Sequence, residues 1–138
     1  MMTVRSKLKR SRIHGIGVFA VERIRKGQVV WRLDERYCVM IPEADLPSIH
    51  PTMRKHIDTY GYPHMTRPGV ICCDADNGRF MNHSTSPNTV FSEPSVARAT
   101  RDIAPGEEIT CNYAEFVPNF EGYPEAAVQQ RQFVDAAE

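Results

Sequence analysis

Apolar residues in this chain come in short runs, each cut off by turn-forming or charged residues, a pattern that favours many short strands over long helices. The runs are Val18–Ala20, Gln28–Trp31, Tyr37–Ile41, Val70–Cys72, Thr89–Phe91, Ser95–Thr100 and Glu108–Cys111. Two of the interruptions are alike: Arg23-Ile24-Arg25-Lys26-Gly27-Gln28-Val29-Val30 and Asp102-Ile103-Ala104-Pro105-Gly106-Glu107-Glu108-Ile109. Each sets an Ile for burial, follows it with Gly three residues on and resumes a β-type run. Gly there allows a positive φ without steric cost. Helical signal is confined to two places. Pro51 suits a first turn, with Met53 and Ile57 four apart on one face. Pro124 and Glu125 open a short Ala-rich segment. The stretch Asp74–Asn88 holds Gly, Asn, Asp, Ser and Pro around Phe80 and Met81, and reads as a long loop on a small apolar anchor. Loops of that length in a small domain are usually functional.

A chain of 138 residues accommodates one domain with one core. Lys and Arg number 17, Asp and Glu 17, so no net basic field draws it to nucleic acid. The charge is uneven: Arg5, Lys7, Lys9, Arg10 and Arg12 crowd the start, and Glu107, Glu108, Glu115, Glu121, Glu125, Asp135 and Glu138 dominate the end. Such runs are ordinarily solvated surface, and the functional reading is attraction of a basic substrate tail by the acidic end. No apolar stretch approaches the ~20 residues of a membrane helix, and the charged start has no apolar segment behind it of the kind a secretory signal carries. Cys38, Cys72, Cys73 and Cys111 lack Cys-x-x-Cys spacing, which points to reduced thiols. The expected setting is intracellular, cytoplasmic or nuclear.

Three segments carry chemistry. In His14-Gly15-Ile16-Gly17-Val18-Phe19-Ala20, two glycines around one residue let the backbone approach a ligand or simply make a tight turn. A dinucleotide fold is set aside, because it needs a third Gly and a following helix whereas Val18–Val21 is β-like. In Arg79-Phe80-Met81-Asn82-His83-Ser84-Thr85-Ser86-Pro87-Asn88, an amide and an imidazole sit side by side on an anchored loop. In Gly106-Glu107-Glu108-Ile109-Thr110-Cys111-Asn112-Tyr113, a strand ends in a phenol, and Phe116 follows three residues later. Tyr113 alone would read as a packed tyrosine with a satisfied hydroxyl.

Together and in this order, the three segments resemble the SET family of protein lysine methyltransferases, over about residues 10–116. The most specific part is Arg-Phe-Met-Asn-His-Ser-x-x-Pro-Asn followed by Ala-x-Arg-Asp-Ile-x-x-Gly-Glu-Glu-Ile-x-x-x-Tyr. The resemblance implies a mostly β, β-clip assembly of several small sheets with a few short helices. It also implies a knot-like crossing in which the Asn82–His83 segment threads under that of Tyr113, an exception to the usual rule against threading. The chain would be a single SET domain over 1–138, with residues 117–138 closing it. By the same resemblance, S-adenosylmethionine is held by His14, Gly15, Ile16, Gly17, Tyr62, Asn82, His83, Tyr113 and Phe116, and a target lysine enters from the opposite side. Tyr113 takes the place of the catalytic tyrosine. Tyr62, with Tyr60 as runner-up, takes the place of an upstream site tyrosine.

The chain departs from the family pattern in places. Thr85 stands where many relatives have a zinc-binding Cys and no Cys-rich tail follows, so no structural metal is expected. Closure of the channel would then fall to Phe116, Phe120 or Tyr123, or to a second subunit, which leaves room for a homodimer. Cys111 stands where relatives often carry Phe or Tyr, and its small side chain implies di- or trimethylation. The implied partner is a protein with a target lysine, such as a histone, with no direct nucleic acid and no membrane. The alternative is a non-catalytic module on the same fold that keeps cofactor or peptide; intact Asn82, His83 and Tyr113 favour catalysis. A cysteine hydrolase built on Cys72 or Cys73 lacks a base or oxyanion hole in the pattern, and metal-ligand spacing is missing.

Overall fold

This computed structural model describes residues 1–121. In chain order the regular elements are β1 (Ser6–Arg10), β2 (Ile16–Ala20), β3 (Val29–Arg32), β4 (Cys38–Pro42), α1 (Pro51–Tyr60), β5 (Tyr62–Pro63), β6 (Val70–Asp74), β7 (Asn82–His83), β8 (Thr89–Glu93), β9 (Val96–Ala99) and β10 (Glu108–Cys111), with short 3-10 turns between them. They form three small sheets, ordered β1-β2-β10-β7, β3-β9-β8 and β4-β6-β5. The mostly β architecture expected from the short apolar runs is therefore the observed one.

Each apolar run became a strand, shifted by a residue or two at its ends; Tyr37 lies in a 3-10 turn before β4. Three strands had no apolar signature. β1 is Ser-Lys-Leu-Lys-Arg at a sheet edge, where charged side chains stay in water. β5 and β7 are two residues each and exist through their partners. The stretch after Asp74 is likewise less loop-like than its composition. Asp76 caps a 3-10 turn over Asn77–Phe80 by accepting from the Gly78 N–H at 2.9 Å, and β7 follows.

The two similar turns meet in space. Ile24 and Ile103 are both fully buried and exchange backbone hydrogen bonds of 3.0 and 2.9 Å, while Gly27 and Gly106 take φ of 81° and 83°. Around this pair lies the core: Val18, Val30, Ala97, Ala99 and Ile109 from the first two sheets, with Trp31 at its margin. Tyr62 from the third sheet and Met65 from the loop after β5 pack onto it.

α1 starts at Pro51 as expected, with the His50 ring capping it. Its face is not buried as one stripe: Ile57 is buried but Met53 is exposed. Only the C-terminal turn is backed by the sheet, where Gly61 abuts Ile57 and Ile71 so closely that a Cβ would stand 2.5 Å from the Ile57 carbonyl oxygen. Tyr123 and the helix expected after Pro124 lie outside the described residues.

Candidate functional site

β7 is a parallel neighbour of β10, with Asn82 opposite Thr110 and His83 opposite Cys111. This pairing sets the Asn-His loop beside the strand that ends at Tyr113, and the Ser84 N–H donating to the Cys111 carbonyl at 2.9 Å extends the contact. On the other edge of β10 runs β2, with Ile109 opposite Val18. One central strand thus gathers all three chemical segments.

The side chains then lock them. The buried Asn82 amide donates to the His14 and Ile16 carbonyls at 3.0 and 3.2 Å and to Glu108 Oε1 at 2.8 Å. Glu108 Oε2 accepts from the Ser11 hydroxyl at 2.9 Å. Gly15 turns with φ of 44°, and Gly17 leaves the space into which Glu108 reaches: a Cβ there would lie 2.2 Å from Oε1. His83 Nδ1 accepts the Tyr113 N–H at 3.1 Å, which puts the ring proton of the neutral imidazole on Nε2. Burial holds the His83 pKa below its ordinary value and so favours that neutral form.

Next to this patch is a cavity of about 80 Å³ walled by aromatic rings. Phe116 packs edge-on or tilted against Phe91, Tyr113 and Tyr62 with ring centroids 5.0, 5.6 and 5.9 Å apart, and Trp31 closes on Phe91 at 5.6 Å. Two of the three phenols in the wall donate their protons into the protein. Tyr113 Oη donates to the Met81 carbonyl at 2.6 Å, and Tyr62 Oη to Asp74 Oδ1 at 2.7 Å. Cys111, buried, also lines the space. Tyr60 reaches the same cavity, but its ring meets His56 at a tilt and Phe80 edge-on, whereas Tyr62 packs on Phe116, so Tyr62 is the more central of the two. Phe120 lies against His83 and Tyr113 at 4.8 and 5.5 Å. A shallower groove of about 730 Å³ shares Phe91, Phe116 and Val117 with the cavity and extends past His64 and Glu115.

The residues expected from the resemblance to hold the cofactor are therefore brought into two adjoining places: His14–Gly17 with Asn82, and Tyr62, Tyr113 and Phe116 around the cavity, with His83 between. Sequence reasoning missed Asp74, Trp31 and Phe91. Asp74 read as the first residue of a polar loop, yet it ends β6, is 4% exposed, and takes hydrogen bonds from Tyr62 and from Trp31 Nε1, the latter at 2.7 Å. The acidic run was also misjudged in part. Glu108 binds Asn82 and Ser11, Glu107 pairs with Arg101, and Glu115 accepts the Phe91 N–H at 3.0 Å. These carboxylates serve the fold before any substrate.

Three small sheets, with a glycine turn and an Asn-His segment gathered on β10 and a phenol beside an aromatic cavity, define a mostly β protein of the SET-domain fold. The SET domain model matches residues 15–114, and the chain belongs to that family. Among solved structures it is similar to a humanized mutant of the Chaetomium thermophilum Polycomb Repressive Complex 2 bound to an inhibitor, at 25% identity and a TM-score of 0.60, covering 84% of this chain and 16% of that one. An active polycomb repressive complex 2 in the basal state gives 25% and 0.59 over 83% of this chain and 16% of that one. A Plasmodium falciparum protein described as a histone methyltransferase shares the fold at 20% identity and a TM-score of 0.55, over 81% of this chain and 95% of that one. The chain spans about a sixth of the length of the polycomb chains. No curated protein matches its sequence. Among the described residues no helix is long and apolar enough to cross a membrane.

Proposed function

We propose that this protein is an S-adenosylmethionine-dependent protein-lysine N-methyltransferase, with the cofactor on the His14–Gly17 and Asn82–His83 patch and the target lysine in the aromatic cavity. The observation that carries this reading is the adjacency of the two places through Met81 and Tyr113. The Tyr113 hydroxyl is bonded to the carbonyl of the residue before Asn82, so the phenol stands where patch and cavity meet.

The patch fits the cofactor in kind. A sulfonium donor with an amino-acid end needs carbonyl and carboxylate oxygens for its positive groups. The carbonyls of His14, Gly15 and Ile16 beside Glu108 supply them through their remaining lone pairs, held in place by Asn82 and Ser11. When bound, the cofactor would supply a methyl group already activated by positive sulfur. What remains for the chain's own residues is the nucleophile. A free lysine of pKa ~10.4 is neutral in roughly one molecule in 2,500 at pH 7, a deficit of about 4.6 kcal/mol. Rings of Trp31, Phe91 and Phe116 exclude water and disfavour the ammonium. Tyr113 and Tyr62 spend their protons on Met81 and Asp74, so their oxygens serve as acceptors for amine N–H groups and align the amine. The wider groove beside Phe116 is the seat for the flanking polypeptide.

The substrate is a basic protein such as a histone, and a nuclear setting follows from that choice. The part of the closing segment that is described reaches the site through Phe120, which lies against His83 and Tyr113. Incubation with labelled S-adenosylmethionine, core histones and a cell lysate, followed by mass spectrometry, should place methyl groups on lysine. Cofactor binding without transfer to any protein would instead favour a non-catalytic module.

A further inference from the structure

We propose that Asp74 is a positioning residue of the amine pocket, which acts by fixing the polarity of the Tyr62 hydroxyl; this rests on the lysine-methylation reading above. Asp74 is 4% exposed at the end of β6 and lines the cavity. Both of its oxygens are engaged: Oδ1 takes the Tyr62 proton at 2.7 Å, and Oδ2 takes the Trp31 indole N–H at 2.7 Å. A Cβ on Gly78 would sit 2.6 Å from Oδ2, so backbone closes the third side. A carboxylate held this way is ill placed to remove a proton from an amine. Its effect is on Tyr62. With its proton committed to Asp74, the phenolic oxygen has only lone pairs to give its other neighbours, the Cys38 thiol on the β4 side and an amine or ammonium reaching it from the cavity. Met81 does the same for Tyr113 with a backbone carbonyl. The two phenols are therefore set alike, one by the main chain and one by a side chain that mutation can reach.

The indole N–H is a donor only, so an amide at position 74 must keep its oxygen toward Trp31 and turn its NH2 toward Tyr62. Asp74→Asn thus reverses the hydrogen bond: Tyr62 becomes the acceptor from residue 74 and points its own proton into the cavity, against the amine. The side chain keeps its shape, and Trp31 keeps its partner.

The test uses the full chain and a lysine-containing histone-tail peptide. Trp31 is the chain's one tryptophan and lies in the pocket wall, so its fluorescence reports peptide binding without turnover. Asp74→Asn should weaken peptide binding and raise KM by roughly tenfold, the scale of one hydrogen bond to a charged group. In a Tyr62→Phe background the same substitution should change either by less than about twofold, since the hydroxyl it acts through is gone. An equal loss in both backgrounds would show that Asp74 only supports the fold, and unchanged binding in Asp74→Asn would also overturn the proposal. If the wild-type chain binds peptide but transfers no methyl, the catalytic reading fails by itself, and the binding cycle still decides the role of Asp74.

Discussion

Tyr113 and Tyr62 bury their hydroxyl protons in hydrogen bonds of 2.6 and 2.7 Å, and this makes each phenol an oriented acceptor and not merely part of an apolar wall. Removing the Tyr113 oxygen should lower turnover at least about tenfold, on the scale of a lost hydrogen bond to a charged group, while cofactor affinity stays near wild type. Turnover and equilibrium binding measured on Tyr113→Phe check this, and full activity would remove Tyr113 from the catalytic role. Asp74 gives a pH signature of its own. Burial raises its carboxyl above the ordinary 3.8, against the opposing pull of the Tyr62 and Trp31 hydrogen bonds. The folded state therefore holds this proton more tightly than the unfolded chain. Its contribution is fully present below pH 3.8 and is lost as pH rises through the folded value. Denaturant unfolding of wild type against Asp74→Asn should show the wild type losing relative stability over that window; a flat difference would mean the folded and unfolded values coincide. Cys111 is buried at the cavity wall. If lysine is the substrate, the small volume of Cys111 should allow di- or trimethylation, and a mass-spectrometric product profile that stops at one methyl would contradict this.

At the scale of elements, the site depends on β2, β7 and β10 lying side by side. The close approach of β2 to β10 requires Gly17, because Glu108 must pass under it to reach Asn82. Gly17→Ala should cost about 1–3 kcal/mol, as overpacking does, and should weaken cofactor binding by freeing the Asn82 amide from its carboxylate. Calorimetry and a binding titration read the two effects; a variant with wild-type stability would show that Glu108 has somewhere else to go. The facing turns at Ile24 and Ile103 hold the same sheets from the other end. Ile103→Val should cost about 1 kcal/mol, as a methyl lost from a fully buried position does.

At the scale of the whole molecule, contacts join chain segments far apart in sequence: Phe19 lies opposite Glu108, and Met2 bridges to Trp31. Such a topology should unfold as one unit, so far-UV circular dichroism and Trp31 fluorescence should give coincident denaturant transitions. Separated transitions would reveal independently stable parts. Local rules carried much of this in the sequence. Short apolar runs specified strands and glycines at fixed offsets specified the twin turns. Those features depend on neighbours along the chain, where steric and hydrogen-bonding preferences act within a few residues. That the Asn-His-Ser and Gly-Glu-Glu-Ile…Tyr segments meet came from the resemblance to the SET family, since the paired residues lie far apart in the chain. The tertiary structure alone decided the rest. β5 and β7 are too short to show a period and exist only through β6 and β10. Glu108 and Asp74 looked like solvated acids until folding placed donors from distant segments against them. A buried carboxylate is stable only beside such partners, and partners that come from across the fold leave no local trace in the residues around it.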